Sequence, residues 1–318
     1  MQKKTGNKVL ILGGGRWGQI TYNNLFNESF IYKLQIISRF LKLTKSILKD
    51  KNTKIQRKLN YKESKSYNLI IICKNNISKI KYLKKLYDFK NILVVEKPLI
   101  IKNNINNFLL YFSKKNFFIS LPWFFENNLK KIINNFIDKD NASHIKFIWF
   151  DNNQKKYGLS KNYDKNIYYS ENIFSHIFSI LYNDKFASTN LKFLNFNIKN
   201  KIEYLSFSYN KMKIEIQCSN KINKNLRKIV LNKNKKIIGQ IKILDKYINI
   251  NDNIRNINTR FHKKLNNLTR QYKYLLTEKN IKEFKNLCYY QILYQNHLHK
   301  LCKNCLLYTS PSPRDKRQ

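Results

Sequence analysis

Two short stretches of this 318-residue chain combine residue types that could do chemistry. In the first, Gly13, Gly14, Gly15 and Gly18 fall within six residues and make up four of only seven glycines in the chain. The pattern Gly13-x-Gly15-x-x-Gly18 follows the apolar run Val9–Leu12 and opens a helical stretch, the setting in which such glycines cradle a dinucleotide pyrophosphate. Gly13 permits the tight turn. Gly15 lets backbone approach the pyrophosphate where a Cβ would intrude, and Gly18 lets the helix pack closely on the strand. The N–H groups at that helix start, around Arg16 and Trp17, would bind the negative phosphates. The second stretch is Val94-Val95-Glu96-Lys97-Pro98-Leu99, directly after a buried apolar run. Strand C-termini line the crevice of an open parallel sheet. A lysine there can touch a substrate hydroxyl and, when partly desolvated, move its proton.

The cofactor can be read further. About 20 residues beyond Gly18, where an NAD-binding fold carries an acid for the ribose 2′-OH, stands Ile36-Ile37-Ser38-Arg39. A carboxylate there would repel a 2′-phosphate, whereas Arg39 can pair with one in bidentate fashion and Ser38 adds a hydroxyl. The expectation is NADP(H), with NAD(H) as the alternative.

These residues need elements to position them. Strands are expected at Lys8–Leu12, Tyr32–Ile37, Asn68–Cys73, Asn91–Val95 and Phe117–Leu121, with helices at Trp17–Asn27, Ile77–Phe89 and Asn103–Lys115 between them. That alternation implies α/β architecture with a doubly wound parallel sheet, a Rossmann domain over residues 1–121. After Pro122 the pattern changes. His144–Phe150, Leu191–Ile198, Ile202–Tyr209, Met212–Cys218, Leu226–Leu231 and Lys236–Leu244 read as strands with short Asn/Lys-rich connections, the mark of hairpins in an antiparallel sheet. Ser170–Tyr182 and Lys279–Lys303 read as helices. Residues 122–304 are therefore expected to form an α+β domain with a largely antiparallel open sheet. Residues 305–318, Cys305-Leu-Leu-Tyr-Thr-Ser-Pro-Ser-Pro-Arg-Asp onward, break with the rest in composition and look like translated sequencing adapter.

Composition argues against a nucleic-acid role despite a formal charge of +43. Only nine of the 62 basic residues are arginine, the lysines are dispersed, and Lys, Asn, Ile, Tyr and Phe rise together while Gly, Pro and Ala fall. A/T-rich codon usage accounts for all of this without a polyanionic partner. No apolar run approaches the length of a membrane span. Met1-Gln2-Lys3-Lys4 does not read as a signal peptide, and five cysteines without a paired framework fit a reducing cytoplasm. The histidines and cysteines show no metal-ligand spacing.

The glycine motif, the Glu96-Lys97-Pro98 motif, their spacing and the domain order together resemble the Gfo/Idh/MocA oxidoreductase family over residues 8–303. The resemblance implies oxidation or reduction, with NAD(P), of a hydroxyl or carbonyl on a sugar, cyclitol or nucleotide sugar. It also implies Lys97 as the active-site lysine with Glu96 beside the cofactor, and Cys73-Lys74-Asn75-Asn76 as the loop that passes the cofactor, with Cys73 and Asn75 among its contacts. A homo-oligomer formed through the open sheet face is a further implication. Many members carry an aspartate and, four residues on, a catalytic histidine; Asn172 and His176 match those positions, one helical turn apart. His176 would then be the acid/base on the reacting hydroxyl. Asn172 can hydrogen-bond a hydroxyl but cannot take its proton, and Ser179 stands where an acid often follows. A catalytically impaired nucleotide- or sugar-binding protein on the same fold is the alternative reading. Trp123 and Phe124 are softer candidates for stacking on a sugar ring, and Tyr163, Tyr168 and Tyr169, ahead of the His176 helix, for contacting substrate.

Overall fold

The computed structural model describes residues 6–39, 55–101, 104–138, 142–152, 167–182, 191–209, 211–243, 247–250, 253–256 and 266–309. They fall into two compact units. The first holds the described residues up to Glu126 together with 266–292; the second holds those between 127 and 256 together with 293–309.

The first unit runs β1 (Asn7–Leu12), α1 (Arg16–Leu25), β2 (Ile31–Ile37), β3 (Ile55–Gln56), α2 (Tyr61–Ser64), β4 (Leu69–Ile72), α3 (Asn76–Lys85), β5 (Ile92–Glu96), α4 (Ile105–Ser113) and β6 (Phe117–Ser120), then a 3-10 turn at Pro122–Phe125. Its six strands lie in the order β3-β2-β1-β4-β5-β6, and every pair is parallel. Helical crossovers cover both faces of such a sheet, so its strands are continuous apolar runs rather than alternating ones. Leu69, Ile70, Ile71 and Ile72 are accordingly all 0% exposed. Because β1 pairs with β2 on one side and β4 on the other, the winding reverses at its C-terminal end, where a crevice opens. The glycine turn lies at that point.

The second unit contains α5 (Asn127–Asp138), β7 (His144–Phe150), α6 (Tyr169–Leu181), β8 (Lys192–Lys199), β9 (Ile202–Tyr209), β10 (Met212–Ser219), β11 (Leu226–Lys233), β12 (Lys236–Lys242), β13 (Tyr247–Ile250) and β14 (Asn253–Asn256). The eight strands are ordered β14-β13-β12-β11-β7-β10-β9-β8. The hairpins expected from the short connections are present at β8–β9, β9–β10 and β11–β12. One departure is instructive: β10 and β11 are not neighbours, because β7 lies between them, parallel to β10 and antiparallel to β11. Strict alternation along β9 and β10 buries Leu205, Phe207, Tyr209, Ile214 and Ile216, and Phe207 packs edge-on against Phe174 of α6.

The chain then supplies α7 (Asn267–Thr277) and α8 (Lys282–Thr309). Helix α7 belongs to the first unit. Asn266 caps it by accepting from the Thr269 N–H at 2.9 Å, and Gln271 Oε1 accepts from the Leu121 N–H at the end of β6, also at 2.9 Å. The early part of α8 packs into the same unit, with Phe284 stacked on Phe118. The helix continues through Thr309, beyond the end expected at Lys303.

Candidate active site

The glycine turn is built by close backbone contact. The Gly13 N–H donates to the Ile37 carbonyl at the end of β2, and the Cys73 N–H donates to the Leu12 carbonyl, both at 2.9 Å. Gly13 has φ +131°, and a Cβ on it would stand 2.2 Å from the Cys73 carbonyl oxygen. A Cβ on Gly18 would lie 1.6 Å from the Gly13 carbonyl oxygen, so only glycine lets α1 start this close to β1. Gly15 differs in kind: it is exposed, and a Cβ built on it meets nothing within 4 Å. The fold itself therefore has no need for glycine there, and the space beside its Cα is open.

The start of α1 suits an anion. Gly15 is its N-cap, no side chain caps the helix, and its first turn contains no acid. The first N–H groups of a helix have no partner within it, and the helix dipole adds positive potential at that end. Trp17 is 47% exposed beside them, and Arg16 is half-buried. Gln19 turns inward and donates from Nε2 to the Gly14 carbonyl, which stiffens the turn from beneath.

Ser38 is buried at the end of β2 and Arg39 is exposed beyond it. A second cation stands nearby that sequence reasoning did not single out. The Lys74 side chain passes over the turn, its Cδ 3.4 Å from where a Cβ on Gly13 would be. Burial lowers the Lys74 pKa, and the Arg39 charge lowers it further. Among so many lysines no local signal could have marked this one. Cys73 and Asn75 have other duties. The Cys73 thiol is buried 3.9 Å from Thr21 Oγ1, where burial pushes its pKa up and keeps it neutral, so Cys73 meets the turn with its backbone. The Asn75 side chain caps α3 by accepting from the Ser78 N–H at 3.0 Å.

The Lys97 loop is held from α3. Asn76 donates to the Ile100 carbonyl at 2.8 Å and accepts from the Ile100 N–H at 3.0 Å, while the buried Lys79 ammonium donates to the Pro98 carbonyl at 2.8 Å. The Lys97–Pro98 peptide is cis. Lys97 itself is half-buried, whereas Glu96 points into the unit at 5% exposure.

In the second unit, α6 is buried at every position from Tyr169 to Leu181 except Asn172 and His176. The four-residue spacing therefore gives these two a shared open face, as read from the sequence. The His176 ring stacks on Trp149, with centroids 5.5 Å apart and planes 9° from parallel. On Trp149 also lies the Arg227 guanidinium, 4.5 Å from the ring centroid, itself bound to Asp151 at 3.0 Å. Ser179 is fully buried and donates to the His176 carbonyl, so it serves its own helix. Glu171 accepts from the Tyr168 N–H at 2.7 Å and pairs with His299 Nδ1 at 2.8 Å. Glu203 takes the Tyr169 and Ser170 N–H groups at 3.1 and 2.7 Å. Two carboxylates thus fix the positive start of the helix that presents Asn172 and His176. Neither Glu203 nor His299 was marked by any sequence pattern.

Of the softer candidates, Phe124 packs among Phe125 and Phe284, and the Tyr169 hydroxyl donates to Asp151. Trp123 and Tyr168 keep partly exposed surface, and Tyr163 lies outside the described residues. Among the described residues, no group of three His, Cys, Asp or Glu could hold a metal, and no helix is long and apolar enough to cross a membrane.

No protein-family model and no curated protein sequence matches the chain. Solved structures do. A dehydrogenase, MviM, from Clostridium difficile superposes with a TM-score of 0.65 at 12% identity, over 94% of this chain and 99% of that one. UDP-N-acetylglucosamine 3-dehydrogenase GnnA from Acidithiobacillus ferrooxidans gives 0.65 at 6% identity, over 92% and 97%. A variant of the 3-ketoreductase KijD10 from Actinomadura kijaniata, solved with TDP-benzene and NADP, gives 0.68 at 6% identity, over 93% and 98%. The chain has the Gfo/Idh/MocA fold. Coverage of nearly the full length on both sides means that the fold includes the second sheet and the closing helices as well as the nucleotide unit. On that fold, the Gly15 opening and the uncapped α1 start fit the pyrophosphate of a dinucleotide.

Proposed function

We propose that this chain is an NAD(P)-dependent oxidoreductase acting on a hydroxyl or carbonyl carbon of a sugar, cyclitol or nucleotide sugar, with NADP(H) preferred. The observation that carries the reading is Gly15, a glycine that no protein atom requires, at the uncapped start of α1 in the crevice of the parallel sheet. Residues Gly13 to Gly18 would hold the pyrophosphate, and Ser38 and Arg39, assisted by Lys74, the adenosine end. A bound nicotinamide supplies or accepts the hydride. The protein's own share is the proton: as a hydroxyl is oxidised its O–H proton passes to Lys97 or His176, and in reduction one of them returns it. Asn172 orients a substrate hydroxyl by hydrogen bonding. His176→Ala is expected to lower kcat by about 100-fold or more while NADPH affinity holds, measured by steady-state kinetics and fluorescence titration.

Cofactor choice is tested at Arg39. Loss of one charge-assisted phosphate contact is about 1.5–3 kcal/mol, so Arg39→Ala is expected to weaken NADPH binding roughly 10- to 100-fold and leave NADH binding nearly unchanged. Equal losses for both cofactors, or a wild-type preference for NADH, would overturn the NADP(H) assignment.

A second reading, a binding protein with impaired catalysis, is favoured by Asn172 and by the inward Ser179. Saturable NADPH binding with no turnover on a panel of sugars and nucleotide sugars would establish it over the first. Homo-oligomerisation is also proposed. The surface in question is the face of the second sheet opposite α6, with a depression of about 710 Å³ lined by Lys146, Tyr204, Lys213, Glu215 and Gln217. Light scattering on the purified protein tests it.

A further inference from the structure

Trp149 of β7 holds two partners that come from different elements. Alternation along β7 turns Ile145, Phe147 and Trp149 inward at 0, 1 and 2% exposure. There the indole stacks on the His176 ring of α6, with centroids 5.5 Å apart and planes 9° from parallel. Arg227 stands opposite Trp149 in the β11–β7 ladder, so both side chains leave the same face of the sheet, and the guanidinium lies 4.5 Å from the indole centroid. Arg227 is fixed in turn, donating from Nη2 and Nε to Asp151 Oδ1 at 3.0 and 3.4 Å. Asp151 Oδ2 accepts from the Tyr169 hydroxyl at 2.8 Å. Tyr169 is the first residue of α6, seven positions before His176 and so about two turns along the same side of the helix. The contacts therefore close into a ring that leaves α6 at Tyr169 and returns to it at His176. A largely buried ion pair adds little stability over apolar residues of the same volume; what it supplies is a fixed geometry.

We propose that Trp149 is a positioning residue for His176: its indole sets the plane of the imidazole, and the Arg227–Asp151–Tyr169 chain holds the indole in place. The proposal rests on the reading of His176 as acid/base given above. Both nitrogens of an imidazole lie in the ring plane, so that plane decides where a proton can be delivered or taken. Stacking fixes the plane and leaves the nitrogens at the ring edge. Proton transfer needs donor and acceptor within hydrogen-bond reach and aligned, so a ring free to turn on the open face of α6 would spend little of its time in a productive pose.

Tryptophan emission tests the stack, because an imidazolium in contact with an indole quenches its fluorescence more strongly than a neutral imidazole does. On the full chain without cofactor or substrate, emission is expected to rise across the range in which histidines titrate, about pH 5–8. That component should vanish in His176→Gln and in Trp149→Phe alike, and shrink roughly twofold in Arg227→Met as the indole loosens. Kinetics test the positioning. On a substrate that the wild type turns over, Trp149→Leu is expected to lower kcat roughly 10- to 100-fold with the KM for NADPH within about twofold, whereas Trp149→Phe, which keeps a flat face, holds kcat within about threefold. A pH-dependent component that is absent from the wild type or survives in Trp149→Phe overturns the proposal. So does a wild-type kcat in Trp149→Leu where His176→Ala is impaired. Should Trp149→Leu fail to fold, Arg227→Met carries the test, and unchanged emission and kcat in it overturn the proposal. Because emission needs no turnover, it decides the stack independently of whether His176 acts in catalysis.

Discussion

Gly15→Ala is expected to leave the fold intact and destroy much of the cofactor binding, while Gly18→Ala damages both. At Gly15 the backbone has φ −71° and ψ −178°, values alanine adopts freely, and the added methyl meets no protein atom. Such a change restricts the unfolded chain by about 0.4–1 kcal/mol, which offsets alanine's poorer fit at the N-cap, so the melting temperature should stay close to that of the wild type. The same methyl would occupy the space where a pyrophosphate must approach, and NADPH binding should weaken roughly tenfold or more, about 1.4 kcal/mol. At Gly18 the methyl would stand 1.6 Å from the Gly13 carbonyl oxygen, a backbone atom that cannot swing aside. Overpacking of that kind costs about 3 kcal/mol. Thermal melts paired with NADPH titrations separate the two effects. An unchanged NADPH affinity in Gly15→Ala would remove the observation on which the cofactor assignment stands.

Lys97→Met is expected to reduce kcat by about 100- to 10,000-fold with NADPH affinity within about twofold of wild type, as for loss of a positioned acid–base group. Methionine keeps the length of the side chain but has no proton to give and no charge. The loop should survive the change, because Asn76 and Lys79 hold it through the backbone of Ile100 and Pro98. Steady-state kinetics on whichever sugar or nucleotide sugar the wild type turns over, with NADPH titration alongside, checks it. Turnover at the wild-type rate would remove Lys97 from the proton path and leave His176 alone in it.

Legibility in the sequence followed the range of the forces involved. The glycine turn is local: strand, turn and helix start are contiguous, and each glycine answers to a steric demand a few residues away. Glycine is scarce in the rest of the chain, which made this cluster easier to read. The shared face of Asn172 and His176 was equally local, since helical periodicity alone sets it. The parallel strands were visible because burial on both faces demands continuous apolar runs such as Leu69–Ile72.

What the sequence determined by itself, then, was the class of the fold, the glycine turn, and the candidate residues that lie next to readable elements. Only the tertiary structure decided the rest, because the partners stand far apart in the chain. Strand β7 was recognisable, but its place between β10 and β11 depends on pairings roughly 70 to 90 residues away. Glu203 caps α6 from a neighbouring strand, and His299 pairs with Glu171 across 128 positions. Lys74 and Lys79 look like any other lysines until folding sets one over the glycine turn and the other beneath the Lys97 loop. Helix α7, which begins at Asn267 after the second sheet, returns to the first unit and brings Gln271 to the Leu121 N–H at the end of β6. Local propensity shapes elements, but a buried polar group takes its meaning from the partner that packing brings to it.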